Sequence, residues 1–254
     1  LGPANDLYRL PSTVFNDDNV HSVVTPFDML ILRALYDPEL QSGMPRGVVA
    51  GRILPILRRI NPDGEGRGTL PQAPSSPEWD RQIEAALTRR NSEEKRLTAA
   101  NRAVAIARRM EPVDHRLGFA LITRGRLLRK DQPGQAASDF VEAYRRHRSV
   151  LGASDLRTAQ AALHAGIVAL DASEYEGALG LANAYIPVAK EAQNAVLLSS
   201  LLAVKARALD ELGDRRGAQD AQLAHLQWAR YAFGDSSGER RQRQAALEAA
   251  LSTQ

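Results

Sequence analysis

Residues 212–218 read LGDRRGA: a glycine suited to end one helix, a short polar turn, and a small residue, Ala218, at the start of the next helix. Two more stretches line up with it, SEYEGA ending at Ala178 and KDQPGQA ending at Ala136. The three alanines recur about every 40 residues, and each turn is preceded and followed by an Ala- and Leu-rich amphipathic segment. An alanine at that point has a physical meaning. The second helix must lie close to the first directly after the reversal, and a larger side chain would hold the two apart. The C-terminal part of the chain therefore reads as tandem helix–turn–helix units, and the fold class as all-α.

LGDRRGA and EYEGA resemble the inter-helix turn of tetratricopeptide repeats. In those repeats a Gly ends the first helix, and an Ala shortly after it lets the second pack tightly. The units here are longer than the about 34 residues of that repeat. Only Tyr175 fills the aromatic slot of the turn, with Pro133 and Arg215 at the equivalent positions. The resemblance implies a curved α-helical solenoid whose first helices line a concave face. With the turns aligned in this way, Arg129, Gln160, Ser200 and Arg207 fall on or near that face. An extended peptide or a partner helix is the expected ligand. A generic antiparallel helical bundle is the alternative.

Outward from the repeats, Ser76-Pro77 reads as the start of a helix carrying Trp79, Ile83 and Leu87. Asn91 with Glu94 resembles a capping box for the next helix, which carries Leu97, Ala100, Val104 and Ala107. Leu226, Trp228, Ala229, Tyr231 and Phe233 form an aromatic-rich core segment, and residues 238–254 read as an amphipathic cap. The repeat domain is thus expected over 77–254, preceded by a Pro- and Gly-rich linker over 61–76. Before the linker, Thr25, Pro26 and Asp28 open a helix with Phe27, Leu30, Ile31, Ala34 and Leu35 on one face, stopped by Pro38. A second helix carries Val49, Ile53, Leu57 and Ile60, with Pro55 expected to bend or interrupt it. Residues 1–60 therefore form a separate unit of one loop and two helices.

The composition narrows the function classes. The 254 residues are 44% hydrophobic and 25% charged, in the ordinary range for a folded domain. Aromatics are only 5%, which suits packed helices better than sheets. A net charge of +3, with arginines in scattered pairs such as Arg58-Arg59 and Arg145-Arg146, argues against a nucleic-acid partner. No segment is apolar enough for a membrane span; VLLSSLLAV at 196–204 falls far short. The absence of cysteine excludes disulfides, thiolate zinc sites and cysteine nucleophiles.

No H-E-x-x-H, Walker or G-x-S-x-G pattern occurs. His115, His147, His164 and His225 read as surface or hydrogen-bonded helix residues. Asp17, Asp18 and His21 place hard-oxygen and imidazole groups within five positions, which makes them the candidate metal ligands. By spacing alone the same NDDN stretch is a turn leading into a capped helix.

A second resemblance bears on that stretch. LGPANDLYRLPSTVFNDDN followed by VVTPFDMLILRALYDPELQSGM resembles the C-terminal part of a bacterial family built on a domain of unknown function. Its members look like lipoproteins or envelope proteins of proteobacteria, and their domain looks like a degenerate zincin metalloprotease. The matching elements are Leu1-Gly2, Asn5-Asp6, residues 12–17, the helix start at 25–28, LRALYDPEL and Gly43-Met44. The resemblance implies a periplasmic or envelope location. It also implies that the helix carrying the active-site acid lies upstream of Leu1, on a fragment that a processed precursor could retain as a partner. No cofactor is expected for this chain alone, and zinc only if such an upstream segment completes a site. The leading expectation is a non-enzymatic interaction or scaffold module. The alternative is the C-terminal portion of a processed zincin-like metalloprotease.

Overall fold

A computed structural model describes residues 26–62 and 76–233, apart from 112 and 193. Among them the only regular elements are α-helices: α1 (Pro26–Leu35), α2 (Arg46–Ile60), α3 (Pro77–Leu87), α4 (Glu93–Arg108), α5 (His115–Leu128), α6 (Pro133–Leu151), α7 (Leu156–Asp171), α8 (Tyr175–Glu191), α9 (Ala195–Glu211) and α10 (Arg215–Phe233).

The three aligned turns fall in one register. Pro133, Tyr175 and Arg215 are the first residues of α6, α8 and α10. Ala136, Ala178 and Ala218 come three positions later, and all three are buried. The reversals into α8 and α10 are also built alike. Gly213 takes a left-handed φ of 84°, and Ser173 holds the same region at 61°. Each lets the next amide reach back along the helix, Glu174 N–H to the Ala169 carbonyl at 2.8 Å and Asp214 N–H to the Leu209 carbonyl at 2.9 Å.

The first helix of each unit starts on a side-chain cap. Ser76 accepts from the Trp79 amide, Asp114 from Arg116, Asp155 from Arg157 and Asn194 from Leu197. The cap of α4 is Ser92, which accepts from the Lys95 amide, and not Asn91. Asn91 instead donates its side-chain amide to the Ala85 carbonyl at 2.9 Å, closing the α3–α4 turn.

From α3 to α10 every helix packs on its neighbours in sequence, and α3, α5, α7 and α9 also touch one another in a row. This is the packing of a helical-repeat solenoid, with first helices in one layer and second helices in the other. One cluster, spanning α3 to α7, includes Leu121, Ile122 and Phe140; a second, spanning α7 to α9, includes Tyr185, Leu198 and Leu201. Burying a side chain such as Leu201, 1% exposed, contributes about 2 kcal/mol.

α1 and α2 form a hairpin of their own. Ala34 and Ile56 are buried between them, and Arg59 clamps the turn by pairing with Asp37 and Glu39. α1 ends at Leu35, one turn before Pro38, and α2 runs unbroken through Pro55. Thr25, residues 63–75 of the expected linker, and the segment 238–254 lie outside the described residues.

Candidate functional site

The residues expected on or near a partner face belong to the end of α5, to α7 and to α9. Arg129 caps the C-terminus of α5, is exposed, and lies 3.7 Å from Asp171 of α7. Arg207 is exposed on α9. Ser200 is half-buried and donates its hydroxyl to the Val196 carbonyl in its own helix at 2.8 Å. Gln160, expected on or near that face, is buried. The physical reason is enclosure: α7 packs on α5, α6, α8 and α9 together. Its N-terminal half, from Thr158 to Ala162, is consequently buried on all sides. Asp17, Asp18 and His21 lie outside the described residues. Among the described residues no three His, Asp or Glu side chains gather as a metal site would require.

The structure opens a different concavity. A groove of about 750 Å³ runs between α6 and α8, with α7 as its floor. Ala165, Val168 and Ala169 form the floor; Val141, Tyr144, Arg145, Arg148 and Ser149 form the α6 wall. Glu174, Gly177 and Leu181 form the α8 wall. Tyr144 meets Tyr185 of α8 edge to face, with ring centroids 6.0 Å apart and the two hydroxyls at 3.3 Å. Burial, together with that hydroxyl contact, raises the Tyr185 pKa, so the phenol stays neutral. Arg145 and Arg148 are exposed, and Arg148 Nη1 reaches the Tyr144 hydroxyl at 3.3 Å. Nothing in the spacing of YRRHR or EYEGA indicated that Arg145, Arg148 and Gly177 share one groove, because they belong to helices that α7 separates in sequence.

Two buried polar nodes tie the groove's α6 wall to α5 and α7. His147 of α6, fully buried, lies 3.0 Å from the His115 carbonyl through Nε2 and 3.0 Å from the Arg157 carbonyl through Nδ1. It thereby ties the starts of α5 and α7 to the end of α6. A neutral imidazole can donate to only one of these carbonyls; imidazolium donates to both. Burial nonetheless pushes the His147 pKa down, against the pull of the two carbonyls. Gly118 makes the node possible, because a Cβ there would run into the His147 ring. In the second node, Asp139 of α6 is 1% exposed and accepts two hydrogen bonds of 2.7 Å from Arg124 of α5. It also accepts one of 2.9 Å from Gln135.

His164 and His225 have structural partners as well. His164 stacks on Phe140 with centroids 4.7 Å apart, and burial pushes its pKa down to about 4. His225 lies 2.9 Å from the Ser199 carbonyl through Nδ1. Asp114 and Asp155 each bind an arginine two positions on through both its amide and its guanidinium. Burial draws the two carboxyls upward, but the arginine bonds and charge outweigh it and hold both below the usual carboxylate range.

A family model described as a protein of unknown function (DUF2927) matches residues 1–54. The match spans the N-terminal segment, α1 and the first part of α2, and none of the repeats. No curated protein and no solved structure matches the chain.

Proposed function

We propose that this chain is a non-enzymatic protein–protein interaction or scaffold module of the bacterial envelope. Its tetratricopeptide-like repeats would bind a peptide or helix in a groove between them. The observation that carries the reading is the open groove between α6 and α8, whose apolar floor and charged rim match the way peptides are held by side-chain pockets. The shared register of the three turns supports the repeat reading. The envelope placement rests on the resemblance of residues 1–60 alone. The groove lies on the second-helix side, between α6 and α8, whereas Arg129, Ser200 and Arg207 stand on the row of first helices.

The test is in-cell crosslinking of the tagged full chain, with mass spectrometry of the crosslinked sites and fractionation of the cells. A reproducible partner crosslinked to α3–α10 in the envelope fraction is the expected result. Crosslinks confined to residues 1–60, together with stoichiometric zinc and peptide hydrolysis in the purified material, would overturn the reading in favour of a processed metalloprotease.

A further inference from the structure

The groove's chemistry is uneven, and the unevenness points to one kind of occupant. Its floor is apolar and made of small or branched side chains, Ala165, Val168 and Ala169. Its α6 wall carries two cations three positions apart on one helical face, Arg145 and Arg148. Both are exposed, and neither forms an ion pair with another described residue. The single anion of the lining, Glu174, stands on the opposite wall at the start of α8. That wall continues with Gly177, where a Cβ would meet nothing closer than the Glu174 Cβ at 3.9 Å. Packing therefore does not demand a glycine there, although glycine costs a helix about 1 kcal/mol relative to alanine. Its effect is to keep the α8 wall low, so that a second backbone can come close.

We infer that the groove between α6 and α8 binds a short peptide segment with apolar side chains flanked by carboxylates. The apolar groups sit on the α7 floor, and the acidic groups pair with Arg145 and Arg148. Two guanidinium groups offer paired N–H donors that match carboxylate oxygens, and the half-open apolar trough strengthens those pairs by limiting water. This assignment rests on the interaction-module reading and gives it a ligand class and a location.

The experiment is selection of a displayed random-peptide library against the full chain. Fluorescence anisotropy of labelled versions of the enriched peptides then follows, on the wild type, an Arg145→Glu/Arg148→Glu variant and Gly177→Trp. All three positions are exposed, so the variants keep the wild-type helicity, which circular dichroism checks. The expected result is enrichment of Asp or Glu beside Leu, Val or Phe. The charge reversal, and separately the indole filling the groove, each weaken binding about tenfold or more. Binding of the wild type also falls with added salt. Enriched peptides that lack acids, or that bind both variants as well as the wild type, overturn the groove assignment and leave the interaction module standing. A library that yields no binding peptide at all overturns the groove assignment, and the crosslinking experiment then decides the interaction module separately.

Discussion

The α1–α2 hairpin and the α3–α10 repeats are built from similar helices but treat apolar surface differently. Among the described residues, four of the five exposed large apolar side chains belong to the hairpin: Met29, Leu35, Tyr36 and Val48. The repeats expose one, Leu212. A helix inside the repeats has neighbours on several sides, as α7 does with four, so its apolar stripe is covered whichever way it faces. Among the described residues, a helix of the hairpin has one substantial partner, which covers one side of it. Burial in a helical protein thus depends on how many neighbours the topology supplies, and less on how amphipathic each helix is.

The comparison breaks most directly at the polar nodes of the repeats. Asp139→Ala leaves Arg124 partly buried without its carboxylate and should cost about 3 kcal/mol, read as a lower denaturant midpoint. A cost below that of an ordinary surface change would mean the pair is not part of the α5–α6 core. Gly118→Ala pushes a methyl against the His147 ring and should cost about 1–3 kcal/mol by the same measurement. Its companion, Gly134→Ala, meets nothing within 4 Å and should cost nothing measurable.

The histidines give the repeats a pH dependence. The folded pKa values of His115 and His164 lie near 4, below the ordinary histidine value of 6.5, and that of His147 is also lowered. The unfolded chain therefore binds protons before the folded one does. Stability should be full above about pH 6.5 and should fall as the pH drops from there toward about 4. A thermal melting series over that range checks the sign, and His164→Phe, which keeps the stack on Phe140, should flatten part of the slope. Asp114 and Asp155 act in a lower window. Their depressed pKa values stabilise the fold above the ordinary carboxylate value of 3.8, and that contribution is lost as the pH falls through the folded values.

Two small effects sharpen the comparison. Ser173 holds a left-handed φ of 61° where the next repeat has Gly213, so Ser173→Gly should raise stability by about 0.5–1 kcal/mol. Thermal melting that shows a loss would mean the serine side chain makes a compensating contact. On the hairpin, Tyr36, 84% exposed, can be changed to Ser with less than about 0.5 kcal/mol effect, while binding of a hydrophobic dye decreases.

Much of the fold was legible because its signals are local. Three turns with an alanine in the same place, a serine before Pro77, and Thr25-Pro26 before an apolar stripe all report on a few adjacent residues. The structure puts helix starts at Pro26, Pro77, Pro133, Tyr175 and Arg215 accordingly. The choice of Asn91 over Ser92 as a cap failed because both are good caps in sequence, and Asn91 is instead used by the preceding turn, donating to the Ala85 carbonyl. The candidate site was less legible. Gln160 is polar and near a helix start, features of a surface residue, yet four neighbouring helices bury it. Arg145, Arg148 and Gly177 are unremarkable in their own segments and gain meaning only from their placement across α7.

The sequence by itself determined where the chain reverses and which residues begin its helices, because capping, left-handed turn residues and small close-contact residues act over one or two helical turns. Tertiary structure alone decided what is enclosed and what is open. The His147 node joins carbonyls from two other helices, and the groove exists because α6 and α8 stand apart above α7. Both depend on distances between helices, and those are set by summed side-chain packing along their whole lengths.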